Sequence, residues 1–208
     1  SATLDTMPVT LSAHGERDAQ GGNQTQVTLQ GHADVPQIGA YIERYAPSML
    51  PWLDAQGDPL GALSGATDWR ATLDIAPSAN DLQAPIKRLS IESSLTGLAL
   101  GLPAPLTKTA AQAQTFHLIT QFGGNGPRTT HVTLGKILQA TVRRQPSTDG
   151  STDLSSLDLA FGGAEPVRNE PGIFIHGKVS SLLLEEWARV LHASGSPLPT
   201  LPLRFDLA

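Results

Sequence analysis

The chain has 208 residues, a formal charge of −5, 39% hydrophobic and 16% charged residues, and no Cys. Its 20 Gly and 16 Pro argue against a helical bundle and for many short strands joined by turns, and the lack of Cys excludes disulfides, thiolate chemistry and Cys-based zinc sites. An acidic balance without any Lys/Arg run argues against nucleic acid as a partner, and the longest weakly polar stretch, Leu95 to Leu106, is too short to span a membrane and is interrupted by Pro103 and Pro105.

No signal peptide is visible, and the chain opens on Ser1, which reads as a piece of something longer. The first alternating segment is Val9, Leu11 and Ala13, with Thr10 and Ser12 opposite; the next is Val27, Leu29, Gly31 and Ala33. Asp34 to Ala46 breaks this rhythm. Asp34 can cap, Pro36 suits a first turn, and Ile38, Tyr41, Ile42 and Tyr45 follow helical spacing. Alternation returns at Trp69, Ala71, Leu73 and Ile75, and again at Leu89, Ile91, Ser93 and Leu95. The phase slips at Gly97, where a bulge is expected. The Leu102–Leu106 run, Leu-Pro-Ala-Pro-Leu, reads either as a rigid extended crossing or as an edge-capping loop.

Further strands are expected at Phe116–Phe122, Thr130–Leu134, Leu138–Val142, Leu157–Phe161, Ile173–Val179 and Leu203–Leu207. Turn chemistry separates them at 21–23, 123–127, 146–150 and 170–172. Ser180 to Ala193 forms a second amphipathic helix, capped by Ser180 or Ser181, with Leu183, Leu184, Trp187, Val190 and Leu191 as its apolar stripe. A period of two puts one side of each strand in an apolar setting, the pattern of an antiparallel sheet with one wet face.

The segments QVTLQGHADVPQIGAYIERY and GIFIHGKVSSLLLEEWARVL align without a gap when Gly31 is placed on Gly177. The segment Thr72–Ala76 likewise resembles Arg204–Ala208. A strand–helix–strand unit therefore occurs twice, as in a modular array. The expected layout is one fragment, 1–208, of a larger repeat array: a first unit over 24–76, a middle sheet over 87–162 and a second unit over 172–208.

Chemistry is harder to find. His14, His32, His117, His131 and His176 fall on or near polar strand phases, no two of the six His lie at i, i+2 or i, i+4, and solvated strand histidines are expected. No GxSxG elbow marks a nucleophile, Glu185–Glu186 reads as an exposed early helical turn, and the glycine pairs read as hairpin turns instead of phosphate loops. No enzyme, metal or cofactor is expected. The apolar faces fit either a sandwich closed over its own core or an open trough for a ligand with an apolar body.

The segment Ile91 to Lys108, IESSLTGLALGLPAPLTK, resembles a signature of the YhdP group of AsmA-like (TamB-related) envelope proteins, carried here by Ser94, Leu95, Gly97, Leu98, Leu100, Leu102, Pro103, Pro105, Leu106 and Lys108. The order of Leu157–Gly162 and of Gly172–Trp187 resembles that group too. The resemblance implies a mainly β fold with two α-helices, its antiparallel sheet curled into a taco or half-pipe. It further implies a periplasmic piece of an inner-membrane-anchored bridge-like protein that carries phospholipid toward the outer membrane, without catalysis. Phospholipid acyl chains and neighbouring repeats of the parent chain would be its partners. Groove candidates are Leu73, Ile75, Leu89, Ile91, Leu95, Leu118, Val132, Leu134, Leu157, Leu159, Ile173 and Ile175. The rival reading is a structural or assembly module that binds a protein partner and no lipid. A β-built glycan hydrolase would need two carboxylates about 5–10 Å apart, and the sequence favours no such pair.

Overall fold

The computed structural model describes residues 2–4, 7–17, 23–45, 59–75, 87–122, 128–146, 152–166, 170–183, 185–187 and 201–208. Its strands are β1 (Ala2–Leu4), β2 (Met7–Arg17), β3 (Asn23–Asp34), β4 (Leu63–Ile75), β5 (Lys87–Ser93), β6 (Leu98–Leu100), β7 (Phe116–Phe122), β8 (Arg128–Leu134), β9 (Leu138–Pro146), β10 (Thr152–Phe161), β11 (Gly172–Gly177) and β12 (Leu203–Leu207). Eleven of them form one sheet whose spatial order follows chain order, while β6 stands off this path and pairs with β4. Every neighbouring pair along the path is antiparallel except β10–β11 and β11–β12, which are parallel.

The protein is thus mainly β, but its sheet is not strongly curled. This corrects the half-pipe expectation, and the ladders supply the reason. Bulges and glycine kinks are what bend a sheet on itself, and the registers of the path shift only once, between Leu154 and Ser156 in β10. The bulge expected at Gly97 is instead a tight turn: β5 ends at Ser93, and Leu98 N donates to Leu95 O at 3.2 Å. Gly97 adopts φ 92°, and a Cβ there would stand 2.3 Å from Ala66 O. Glycine therefore allows this turn to lie directly on the backbone of β4.

Helix α1 (Val35–Tyr45) starts as the sequence indicates. Gln37 N donates to Asp34 Oδ1 at 2.9 Å, and Asp34 N donates to Gln37 Oε1 at 3.0 Å, so the two residues satisfy each other's orphan amides as a capping box. A short 3-10 turn, Pro59–Ala62, leads into β4. In the second expected helix, bonding begins later than Ser180 or Ser181: Trp187 N donates to Leu183 O at 3.1 Å, and 185–187 are helical. The remainder of that helix, from 188 to 193, lies outside the described residues, as do the turns at 21–22, 123–127 and 147–150.

The two repeat units share a start and differ in their finish. Gly177 ends β11, whereas Gly31 lies three residues before the end of β3, and both strands run the same way across the sheet. After α1 the chain returns antiparallel as β4, whereas β12 lies parallel to β11. The proposed match of Thr72–Ala76 to Arg204–Ala208 therefore joins strands of opposite direction. Gly162 and Gly163, at φ 65° and 83°, turn the chain out of β10 toward a parallel partner, not into a hairpin.

Candidate functional site

Residues paired across a ladder point to the same side of a sheet, so the registers assign every strand residue to a face. One face carries a transverse row that is apolar at every rung: Leu11, Leu29, Ala71, Ile91, Leu118, Val132, Ala140, Leu159, Ile175 and Phe205. Beside it, two residues along each strand, runs Ala13, Val27, Leu73, Leu89, Thr120, Thr130, Val142, Leu157, Ile173 and Leu203. Its two threonines bond each other, Oγ1 to Oγ1 at 2.9 Å, and so present methyl groups without an orphan hydroxyl. At the usual strand spacing of about 4.8 Å, eleven strands make this face about 50 Å wide.

Of the groove candidates, Leu73, Ile75, Leu89, Ile91, Leu118, Val132, Leu134, Leu157, Leu159, Ile173 and Ile175 all lie on this face. Leu95 does not. It sits beyond β5 at φ 49°, buried in the loop that follows. The middle of the face is half-buried by its own neighbours, while Leu11, Leu203 and Phe205 near the sheet margins are 54%, 49% and 60% exposed.

The two ends of the strands differ. On the next row in one direction, Leu134 gathers with Val35, Leu95, Leu98 and Leu100, and Leu63, Leu106, Phe116 and Leu138 pack against them. Met7, Val9 and Ala33 form an adjoining cluster against Leu29, Ile38 and Trp69. A cap made of α1 and the 94–115 loop therefore covers this end. Trp69 lies over Gly31, where a Cβ would meet the indole ring at 3.0 Å. The Leu102–Leu106 run belongs to the cap: Leu106 N donates to Pro103 O at 3.0 Å, and Lys108 pairs back onto Leu100. Of its two readings, the loop is the one adopted, and no extended crossing occurs.

Lys108 is the residue that sequence reasoning left without a role. It is 7% exposed, and its Nζ donates to the carbonyls of Leu95 at 2.7 Å, Thr109 at 3.0 Å and Leu98. Burial pushes its pKa below the ordinary lysine value. The ammonium thus acts as a hub that ties the loop together through backbone oxygens. A lone Lys closing an apolar, proline-rich run was the available signal. Trp187 extends the cap, donating from Nε1 to Ala104 O at 2.9 Å.

The opposite face is largely polar, and His14, His32 and His131 on it are exposed, as expected of solvated strand histidines, although several histidines also meet a cross-strand partner. His32 Nδ1 lies 2.8 Å from Asp68 Oδ1, His117 Nε2 lies 2.8 Å from Ser90 Oγ, and His131 Nδ1 lies 3.0 Å from Thr141 Oγ1. His176 is half-buried: its Nε2 is 2.7 Å from Oδ1 of Asp158, itself 1% exposed. No cluster of three or more His, Asp or Glu suited to a metal ion occurs among the described residues. No helix among them is long and apolar enough to cross a membrane.

A family model described as YhdP protein matches residues 1–208. The chain belongs to the YhdP family. Members are envelope proteins implicated in lipid transport, a non-catalytic function. No curated protein and no solved structure matches the chain.

Proposed function

We propose that this chain is a non-enzymatic, periplasmic module of an inner-membrane-anchored YhdP-family protein, and that its apolar face carries phospholipid acyl chains between the inner and outer membranes. The observation that carries this reading is the unbroken apolar row from Leu11 to Phe205, one residue per strand across ten strands. Each methylene laid on such a surface gains about 0.8 kcal/mol. Rungs of near-uniform chemistry offer no single deep well, so a chain held there can shift sideways from strand to strand. Neighbouring repeats of the parent would continue the same surface. The shallow sheet makes the carrier a face, not an enclosed tunnel.

Native mass spectrometry of the 208-residue chain after incubation with phospholipid vesicles tests this. Bound phospholipid, lost on Ile91→Asp, is the expected result. A chain that takes up neither phospholipid nor a fluorescent acyl probe overturns the reading and favours an assembly module whose apolar face packs on a protein.

A further inference from the structure

The apolar face ends differently at the strand ends opposite the cap. One row beyond Leu73, Leu89, Val142 and Leu157, the same side of the sheet carries Thr25, Ile75, Lys87, Phe122, Arg128, Arg144 and Leu154. Alternation fixes their side: Lys87 shares a phase with Leu89 and Ile91, Arg128 with Val132 and Leu134, and Arg144 with Val142 and Ala140. Three cations and no carboxylate therefore border the open face along this row. Cations on the polar side at this end are placed otherwise, since Arg88 stands opposite Asp74 across the β4–β5 ladder.

Arg128 and Arg144 are direct cross-strand partners, an arrangement that costs a sheet stability because like charges face each other. Burial first, and Arg128 second, hold the Arg144 pKa below the ordinary arginine value. Arg144 has a further partner of its own, whereas Lys87 and Arg128 have no ion-pair partner among the described residues. Fold stability does not explain such a row. An anion lying against it does.

The dimension along the strands agrees. Successive same-side residues are about 6.8 Å apart, so about 20 Å separate the cation row from the capped row three steps away. Half of a bilayer's hydrocarbon core is about 15 Å. An acyl chain with its phosphate at Lys87 and Arg128 thus ends near the cap.

We propose that Lys87 and Arg128, with Arg144 beside them, form an anionic-headgroup site at the open end of the apolar face, which orients a phospholipid with its phosphate on these cations and its tails pointing along the strands toward the cap. This rests on the lipid-carrying reading and adds a polarity and a charge preference to it. Charge complementarity singles out a net-anionic phospholipid as the preferred occupant.

The test compares uptake of phosphatidylglycerol, phosphatidylcholine and uncharged diacylglycerol by the 208-residue chain and by the double variant Lys87→Gln/Arg128→Gln, read by native mass spectrometry. Wild type is expected to prefer phosphatidylglycerol, the preference to drop roughly five-fold for each cation removed, and diacylglycerol uptake to stay unchanged. Arg128→Lys should retain the preference, and added salt should shrink it in the wild type. Loading of both phospholipids with equal preference in wild type and double variant, or a wild-type preference that ignores salt, overturns the headgroup site and leaves the acyl-face reading standing. Failure of the wild type to take up any of the three lipids overturns both.

Discussion

The two ends of one sheet face are built from the same kind of strand and reach opposite states. At the cap end, Leu134 and Leu138 are covered by the loop holding Leu95, Leu98 and Leu100 and by Val35 of α1. One row away, Ile91, Leu118 and Val132 present the same chemistry and stay half-buried, outside the clusters that the cap forms among the described residues. Apolar side chains in a period of two specify a side, not a cover. Cover comes from a local device, here the buried Lys108 ammonium drawing three carbonyls inward. What separates the covered row from the open row on this sheet is one loop and the start of α1.

Breaking the cap should have the largest effect. Lys108→Met removes a charged donor from three buried carbonyls and is expected to cost about 3 kcal/mol in chemical denaturation, with loss of amide-exchange protection over 95–109. The open end should respond differently. Ile91→Asp places a carboxylate on the half-buried middle row and is expected to cost about 2 kcal/mol while abolishing acyl-probe binding. Gln30→Asp, on the exposed polar side, should change neither stability nor binding. A finer probe of the cap is Trp187→Phe, which deletes the bond to Ala104 O and is expected to cost about 1 kcal/mol.

The smallest effect expected is a pH slope. Burial, then Arg143 and Arg88, hold His131 below the usual imidazole value of 6.5. As pH falls through 6.5, the unfolded chain takes up this proton before the folded one does, so stability present in full above 6.5 declines toward the folded pKa. Melting temperatures of wild type and His131→Gln between about pH 7.5 and 5 should converge on the acid side. The difference should be shallow, because the ring is largely in water.

All ten alternating segments form strands, and their apolar phases share a face, because a one-residue slip would turn a whole strand's apolar set into water. The start of α1 is legible from Asp34 and Pro36, whereas the reciprocal bond of Gln37 emerges only in the structure. The parallel run of β11 and β12 was invisible, since alternation carries no strand direction. Leu95 leaves the face for a reason that alternation does not carry either: it continues the phase of Ile91 and Ser93, but Lys108 and the Ser93 hydroxyl hold its backbone at positive φ and take it off the sheet. The cation row was likewise present in the sequence. Lys87, Arg128 and Arg144 are scattered along the chain, and only the registers bring them into one line.

Since each strand of the path lies beside its successor in sequence, most of the architecture assembles by closing one short loop after another, each at little entropic cost. A chain emerging end-first can therefore zip up strand by strand without waiting for its last residues. The Trp187 tether to Ala104 is an exception. It spans 83 positions and falls into place only after the strands between have formed, which makes it a late latch on a structure that is otherwise vectorial in its making.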